Sequence, residues 1–112
     1  NADPNRICIV PCGFDPTEFW AIDKIRARLT LGLPPDEPII LQLGRMVPRK
    51  GVDNVIRAFA YLQKQLVSPA RLLIVGGESD TPDPKITPEI ARLQAIAAEL
   101  GVDDRTTFVG RR

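Results

Sequence analysis

Short apolar runs recur along this chain at a nearly constant interval, and that interval restricts the fold more than any other feature. They begin at Ile7, Ile39, Leu72 and Thr106, 32 to 34 positions apart, and each has the length of a strand. Between the later runs lie stretches with helical spacing: Val52, Val55, Ile56, Phe59 and Leu66 in one, Ile90, Leu93, Ala97 and Leu100 in the other. A helical repeat array can show such a period, but the repeated unit here is strand plus helix and the loops share no motif. The interval is the natural length of a βαβ unit. A parallel α/β sheet with covering helices and right-handed crossovers is therefore predicted, amounting to half of a doubly wound domain.

Punctuation between the runs agrees with this reading. Pro11-Cys12-Gly13-Phe14-Asp15-Pro16 is rich in turn formers, and Thr17 to Ala21 reads as a short turn burying Phe19 and Trp20. Gly13 marks either a tight turn or a close backbone approach. Ile22, Ile25 and Leu29 line one face of a helix that Gly32 and Pro34-Pro35 stop. Ser68-Pro69 ends the next helix, and Gly76-Gly77 closes the run Leu72 to Val75. A long surface loop is expected over Glu78 to Lys85, with Thr87 as N-cap, Pro88 at the first helical position and Gly101 as C-cap of the last helix.

Chemistry concentrates in one strand-loop-helix joint. The run Ile39 to Leu43 ends at Gly44, and Arg45, Arg49 and Lys50 follow before the helix that begins near Val52. In open parallel sheets the carboxyl ends of the strands face the ligand crevice, where a helix amino terminus offers N–H groups to an anion. Gly44 admits a ligand to the backbone, Pro48 stiffens the loop and Gly51 permits the turn into the helix. The joint reads as a phosphate-binding corner.

Composition removes several other chemistries. The 112 residues have the size of one domain and are too few for a two-domain enzyme. Fifteen basic and fourteen acidic residues leave a formal charge of +1, so no long-range attraction favours nucleic acid. There is no histidine, and Cys8 and Cys12 are the only cysteines, which leaves no usual zinc set and no Ser-His or Cys-His pair. Reduced thiols of an intracellular protein are the simpler reading of those cysteines. Glu78, Asp80 and Asp83 form an acidic loop more in keeping with a solvated surface than with a metal site. No apolar run approaches the length of a membrane span and no leader pattern opens the chain, so a cytoplasmic protein is expected, with or without peripheral contact to a membrane. The start without methionine and the halt soon after Val109 read as cuts in a longer protein, leaving a sheet edge that invites dimerisation.

Four blocks then carry a family resemblance. Pro11-Cys12-Gly13-Phe14-Asp15 with Phe19, Leu43-Gly44-Arg45-Met46 with Lys50-Gly51, Leu73-Ile74-Val75-Gly76-Gly77, and Phe108-Val109-Gly110 stand in the order found in retaining nucleotide-sugar glycosyltransferases of the GT-B fold, group 1 (family 4). The chain resembles the interdomain crossing and first half of the donor domain of such an enzyme, part of a Rossmann-like C-terminal domain. On that map residues 1–37 are the end of the acceptor domain and the linker, and residues 38–112 the first part of the nucleotide-sugar domain.

The resemblance implies roles. Gly44, Arg45 and Lys50 would bind the donor diphosphate, the two cations offsetting the charge that builds as the sugar-phosphate bond breaks. Arg111 would present its backbone to the nucleobase, and Gly13 would lie near the interdomain cleft. No metal and no cofactor are implied. The sugar or lipid-linked acceptor would be held mainly by an N-terminal domain, and a pair of glutamates that contact the donor in the family has no counterpart before Arg112. The isolated polypeptide is accordingly expected to be inactive. A GT-B-type epimerase would also cradle a diphosphate in a basic corner. A non-catalytic dinucleotide-binding module would instead carry a Gly-x-Gly-x-x-Gly turn, which follows no strand here.

Overall fold

A computed structural model describes residues 3–112. They divide into two units, the first reaching Pro35 and the second spanning Asp36–Arg112.

The second unit contains the sheet. Strands β1 (Ile39–Leu43), β2 (Arg71–Val75) and β3 (Thr106–Gly110) are parallel in the order β1-β2-β3. Helices α2 (Val52–Gln63) and α3 (Pro88–Glu99) make the crossovers. This is the predicted α/β architecture. In register Ile39 faces Arg71, Leu43 faces Val75 and Leu72 faces Thr106. The last pairing slips: Ile74 lies beside Phe108 but Val75 beside Gly110, so Val109 bulges out.

Both helices pack on one face of the sheet. Val52, Ile56 and Phe59 of α2 and Ile90, Leu93, Ile96 and Ala97 of α3 meet Leu72 and Ile74 in one core, with Ile40 and Phe108 against its margin. Strand alternation accounts for the choice, since Ile40, Leu72 and Ile74 share the helix-covered side. Leu41 and Leu43 lie on the opposite side and are 59% and 67% exposed. Leu66 lies past the end of α2, and Leu100 occupies the C-cap of α3 instead of its buried stripe, where Ile96 stands. Gly101 takes the left-handed conformation just beyond, with φ of 70°. Its N–H donates to Ala98 O, and the N–H of Val102 donates to Ala97 O, which closes the helix as a Schellman turn.

The amino ends of the strands are clasped by one carboxylate. Glu37, just before β1, accepts from Arg71 Nε at 3.0 Å and also from Arg105, which immediately precedes β3. The N–H of Arg71 donates to Pro38 O at 2.8 Å.

In the first unit α1 (Lys24–Leu31) is capped at both ends. Asp23 accepts from the N–H of Arg26, and Gly32 is left-handed with φ of 65°. The Arg28 guanidinium donates to the carbonyls of Pro34 and Pro35, tying the helix to the proline pair that follows it. Two expectations fail in this unit, and a third, the helix face, holds for Ile25 and Leu29 but not for Ile22. Ile7 to Val10 do not form a strand, because a strand exists only through a partner and none of the three strands pairs with them. A turn does form at Pro16–Glu18, but Phe19 and Trp20 are 64% and 65% exposed, not buried. Ile22 precedes α1, and Ile25 and Leu29 are exposed, since this unit has no second layer for the helix to pack against. Cys8 and Cys12 are exposed free thiols.

Candidate functional site: the carboxyl ends of the strands

Parallel strands end at the same edge, and here each ends on glycine. Beyond β1 stands Gly44, beyond β2 Gly76-Gly77, and β3 closes on Gly110. Hydrogen bonds cross-link the three ends. The N–H of Gly44 donates to Val75 O at 3.0 Å, and the N–H of Gly76 donates to Gly110 O at 2.8 Å. Steric demand explains the composition: a Cβ on Gly76, whose φ is 147°, would lie 1.9 Å from Gly44 O, and one on Gly110 would lie 2.4 Å from Asp80 O. Neither position accepts a side chain without movement of a backbone.

The loop after β1 is built to present its cations. Met46 is buried at 6% exposure and plugs the loop into the core, while its neighbour Arg45 is exposed. The N–H of Val47 donates to Arg45 O and that of Lys50 to Val47 O, each at 3.0 Å. Pro48–Lys50 forms one 3-10 turn, which Gly51 ends at φ of 63°. A residue with a Cβ would resist that angle, and Gly51 then serves as N-cap of α2 with no side chain capping the first amides. Arg45, Arg49 and Lys50 are all exposed, and none makes a side-chain hydrogen bond or ion pair among the described residues. Asp53 in the first turn of α2 is engaged by Arg92 at 3.7 Å, and Arg92 also holds Glu89 at 2.5 Å. That pairing leaves the loop cations unneutralised.

The loop from Glu78 to Lys85 folds over the end of β3. The N–H of Arg111 donates to Ser79 O at 2.8 Å, and its guanidinium stands 3.5 Å from Asp80 Oδ1. Arg112 donates from Nη1 to Asp80 O and to Arg111 O. Both backbone groups of Arg111 are therefore already engaged within the chain. Asp83 accepts from the N–H of Lys85, so the three acids of this loop do not converge, and no group of three or more potential metal ligands gathers among the described residues. Thr87 is buried at the N-cap of α3, but its hydroxyl accepts from the N–H of Glu78 instead of capping the helix.

Gly44, Arg45 and Lys50 thus share one loop, and Arg111 follows a strand that ends at the same edge. Gly13 and its turn belong to the first unit. That unit also holds a cleft of about 520 Å³ beside α1, lined in part by Trp20, Ile22, Asp23, Arg26 and Leu31, none of them a predicted site residue. Two features escaped the sequence reading, the contact of Gly76 with Gly44 and the diverted hydroxyl of Thr87. The paired glycines after β2 were the one available signal for the first.

A three-stranded parallel sheet covered by crossover helices, with a glycine at the end of each strand, defines an α/β protein of the Rossmann-like kind. The family model of the group 1 glycosyl transferases matches residues 23–112, and the chain belongs to that family. It is 42% identical over 110 residues to the D-inositol 3-phosphate glycosyltransferase of Acidothermus cellulolyticus, covering 96% of this chain and 24% of that protein. Among solved structures it is similar to the sucrose-phosphate synthase of Thermosynechococcus elongatus, with a TM-score of 0.72 and 36% identity over 91% of this chain and 23% of that one. WaaG, a glycosyltransferase involved in lipopolysaccharide biosynthesis, gives a TM-score of 0.71 at 28% identity, over 98% of this chain and 28% of its own. The chain spans about a quarter of the length of the relatives it matches.

Proposed function

We propose that this chain supplies the donor-diphosphate corner of a retaining, metal-independent glycosyltransferase that moves a sugar from a nucleotide-diphosphate sugar to an acceptor hydroxyl. The observation that carries the reading is the pair Arg45 and Lys50, exposed and unpaired among the described residues on a loop pinned by Met46 at the carboxyl edge of the sheet. As the sugar-phosphate bond breaks, its electron pair stays with the departing diphosphate. Two fixed cations stabilise that charge, the task a divalent ion performs elsewhere.

Residues 38–112 form the first part of the donor domain, and residues 1–37 the end of the acceptor domain and the linker. Arg111 is the base-contacting residue; with its N–H occupied by Ser79 and its carbonyl already accepting from Arg112, the contact uses the second lone pair of that carbonyl. The curated relatives are named for inositol 3-phosphate, which favours a phosphorylated polyol as acceptor. A GT-B-type epimerase is the competing reading, and it predicts conversion of the nucleotide sugar into its epimer with no acceptor and no net release of UDP.

The test is carried out in a polypeptide of the relatives' full length. Arg45→Ala and Lys50→Ala are each expected to lower kcat about 100-fold, equivalent to roughly 3 kcal/mol of lost transition-state stabilisation. Each should also weaken UDP binding in titration calorimetry. Unchanged UDP affinity in both variants would refute the diphosphate assignment.

A further inference from the structure

Thr87 stands where a threonine ordinarily caps its own helix, yet its hydroxyl is directed elsewhere. It accepts from the N–H of Glu78 at 3.0 Å and is only 3% exposed. Its backbone is held too, through Thr87 N–H to Asp83 O at 2.8 Å. The first amides of α3 therefore forgo a side-chain cap so that the turn after β2 can be fixed.

That turn carries Gly76, which presses on the loop after β1. The position a Gly76 Cβ would occupy lies 1.9 Å from Gly44 O and 3.1 Å from Met46 Cε. Gly44 and Met46 are the two chain neighbours of Arg45. Gly77, between Gly76 and the pinned Glu78, packs against Thr87 itself, whose Oγ1 lies 3.4 Å from the equivalent Cβ position. A contiguous chain of contacts thus runs from a buried hydroxyl at the N-cap of α3 to both flanks of an exposed cation on another loop.

We propose that Thr87 is a positioning residue, holding the Gly76–Glu78 turn against Gly44 and Met46 and so setting where the Arg45 guanidinium meets a nucleoside diphosphate. The assignment rests on the diphosphate reading of Arg45. Loss of the hydroxyl releases Glu78, lets Gly76 retreat and gives the loop after β1 room to shift. Arg45 keeps its charge but loses its place.

Nuclear magnetic resonance on a polypeptide of the relatives' full length tests this with and without ligand. In the free chain Thr87→Val is expected to expose the Glu78 amide to hydrogen exchange and to move the amide resonances of Gly44, Arg45 and Met46. Thr87→Ser, which keeps the acceptor, should leave both at wild-type values. A freed Glu78 amide with unmoved resonances at Gly44 to Met46 overturns the proposal. Thr87→Ala gives the same readings if Thr87→Val does not fold.

With UDP as the probe, followed by chemical-shift titration, Thr87→Val should weaken binding about fivefold, the scale of one lost hydrogen bond. Adding Thr87→Val to Arg45→Ala should cost less than about twofold more, because the first acts through the second. Fully additive losses overturn the proposal. Unaltered UDP affinity in Arg45→Ala refutes the diphosphate reading instead, and the ligand-free comparison still decides whether Thr87 shapes the loop.

Discussion

Gly76 shows how a residue with no side chain limits its surroundings. Its Cα rests against Gly44 O, so Gly76→Ala must displace one backbone or the other. We expect it to destabilise the fold by about 3 kcal/mol, measured by chemical denaturation, and to shift the resonances of Arg45 as well. The glycine pair was visible in the sequence, but its reason was not, because the obstructing atom lies on a strand end more than thirty positions away in the chain. That Arg45, Arg49 and Lys50 would share one loop was legible for the opposite reason: the cue is local, three cations between two glycines at a strand-to-helix joint. Asp15 offers a pH-dependent counterpart. The Thr17 hydroxyl and N–H both donate to its carboxylate and hold its pKa below the usual carboxylate range. A folded pKa below the unfolded one means the turn is stabilised above the unfolded value and loses that support as pH falls through the folded one. The protection of the Thr17 amide relative to its intrinsic exchange rate should therefore fall as pH drops below the usual carboxylate range, and Asp15→Asn should flatten that profile.

At the level of elements, those that the sequence announced are the ones whose partners lie nearby in the chain. β1, α2, β2, α3 and β3 alternate so that each strand finds its neighbour one crossover away, and turn formers mark the breaks. Ile7 to Val10 had the same apolar character and failed, since strand identity belongs to a pair and not to a segment. The end of α1 was located by Gly32 and the proline pair after it, but its apolar residues could not reveal what they would face. The Glu37 clasp was equally hidden, because Arg71 and Arg105 meet it only once the three strands stand side by side. Glu37→Gln should remove about 1–2 kcal/mol of stability, partial exposure tempering the effect, while UDP affinity stays unchanged. A denaturation midpoint equal to wild type would show that the clasp does not hold the strands.

Within the second unit both helices cover the same face of the sheet. Leu41 and Leu43 remain exposed, and the outer edges of β1 and β3 have no strand beside them among the described residues. We expect the 112-residue chain to self-associate through these surfaces, with a sedimentation coefficient that rises with concentration. Leu41→Lys combined with Leu43→Lys should abolish that rise, and a monodisperse wild-type monomer at high concentration would count against it. The same polarity of the strands has a further consequence. Since every strand runs in one direction, the carboxylate clasp lies wholly at one rim and the basic corner wholly at the other, about 17 Å of strand apart. Upkeep and the proposed chemistry occupy opposite banks of the same sheet, so the rim that carries Glu37 can be re-engineered for heat resistance without renegotiating the terms on which the proposed donor would be held.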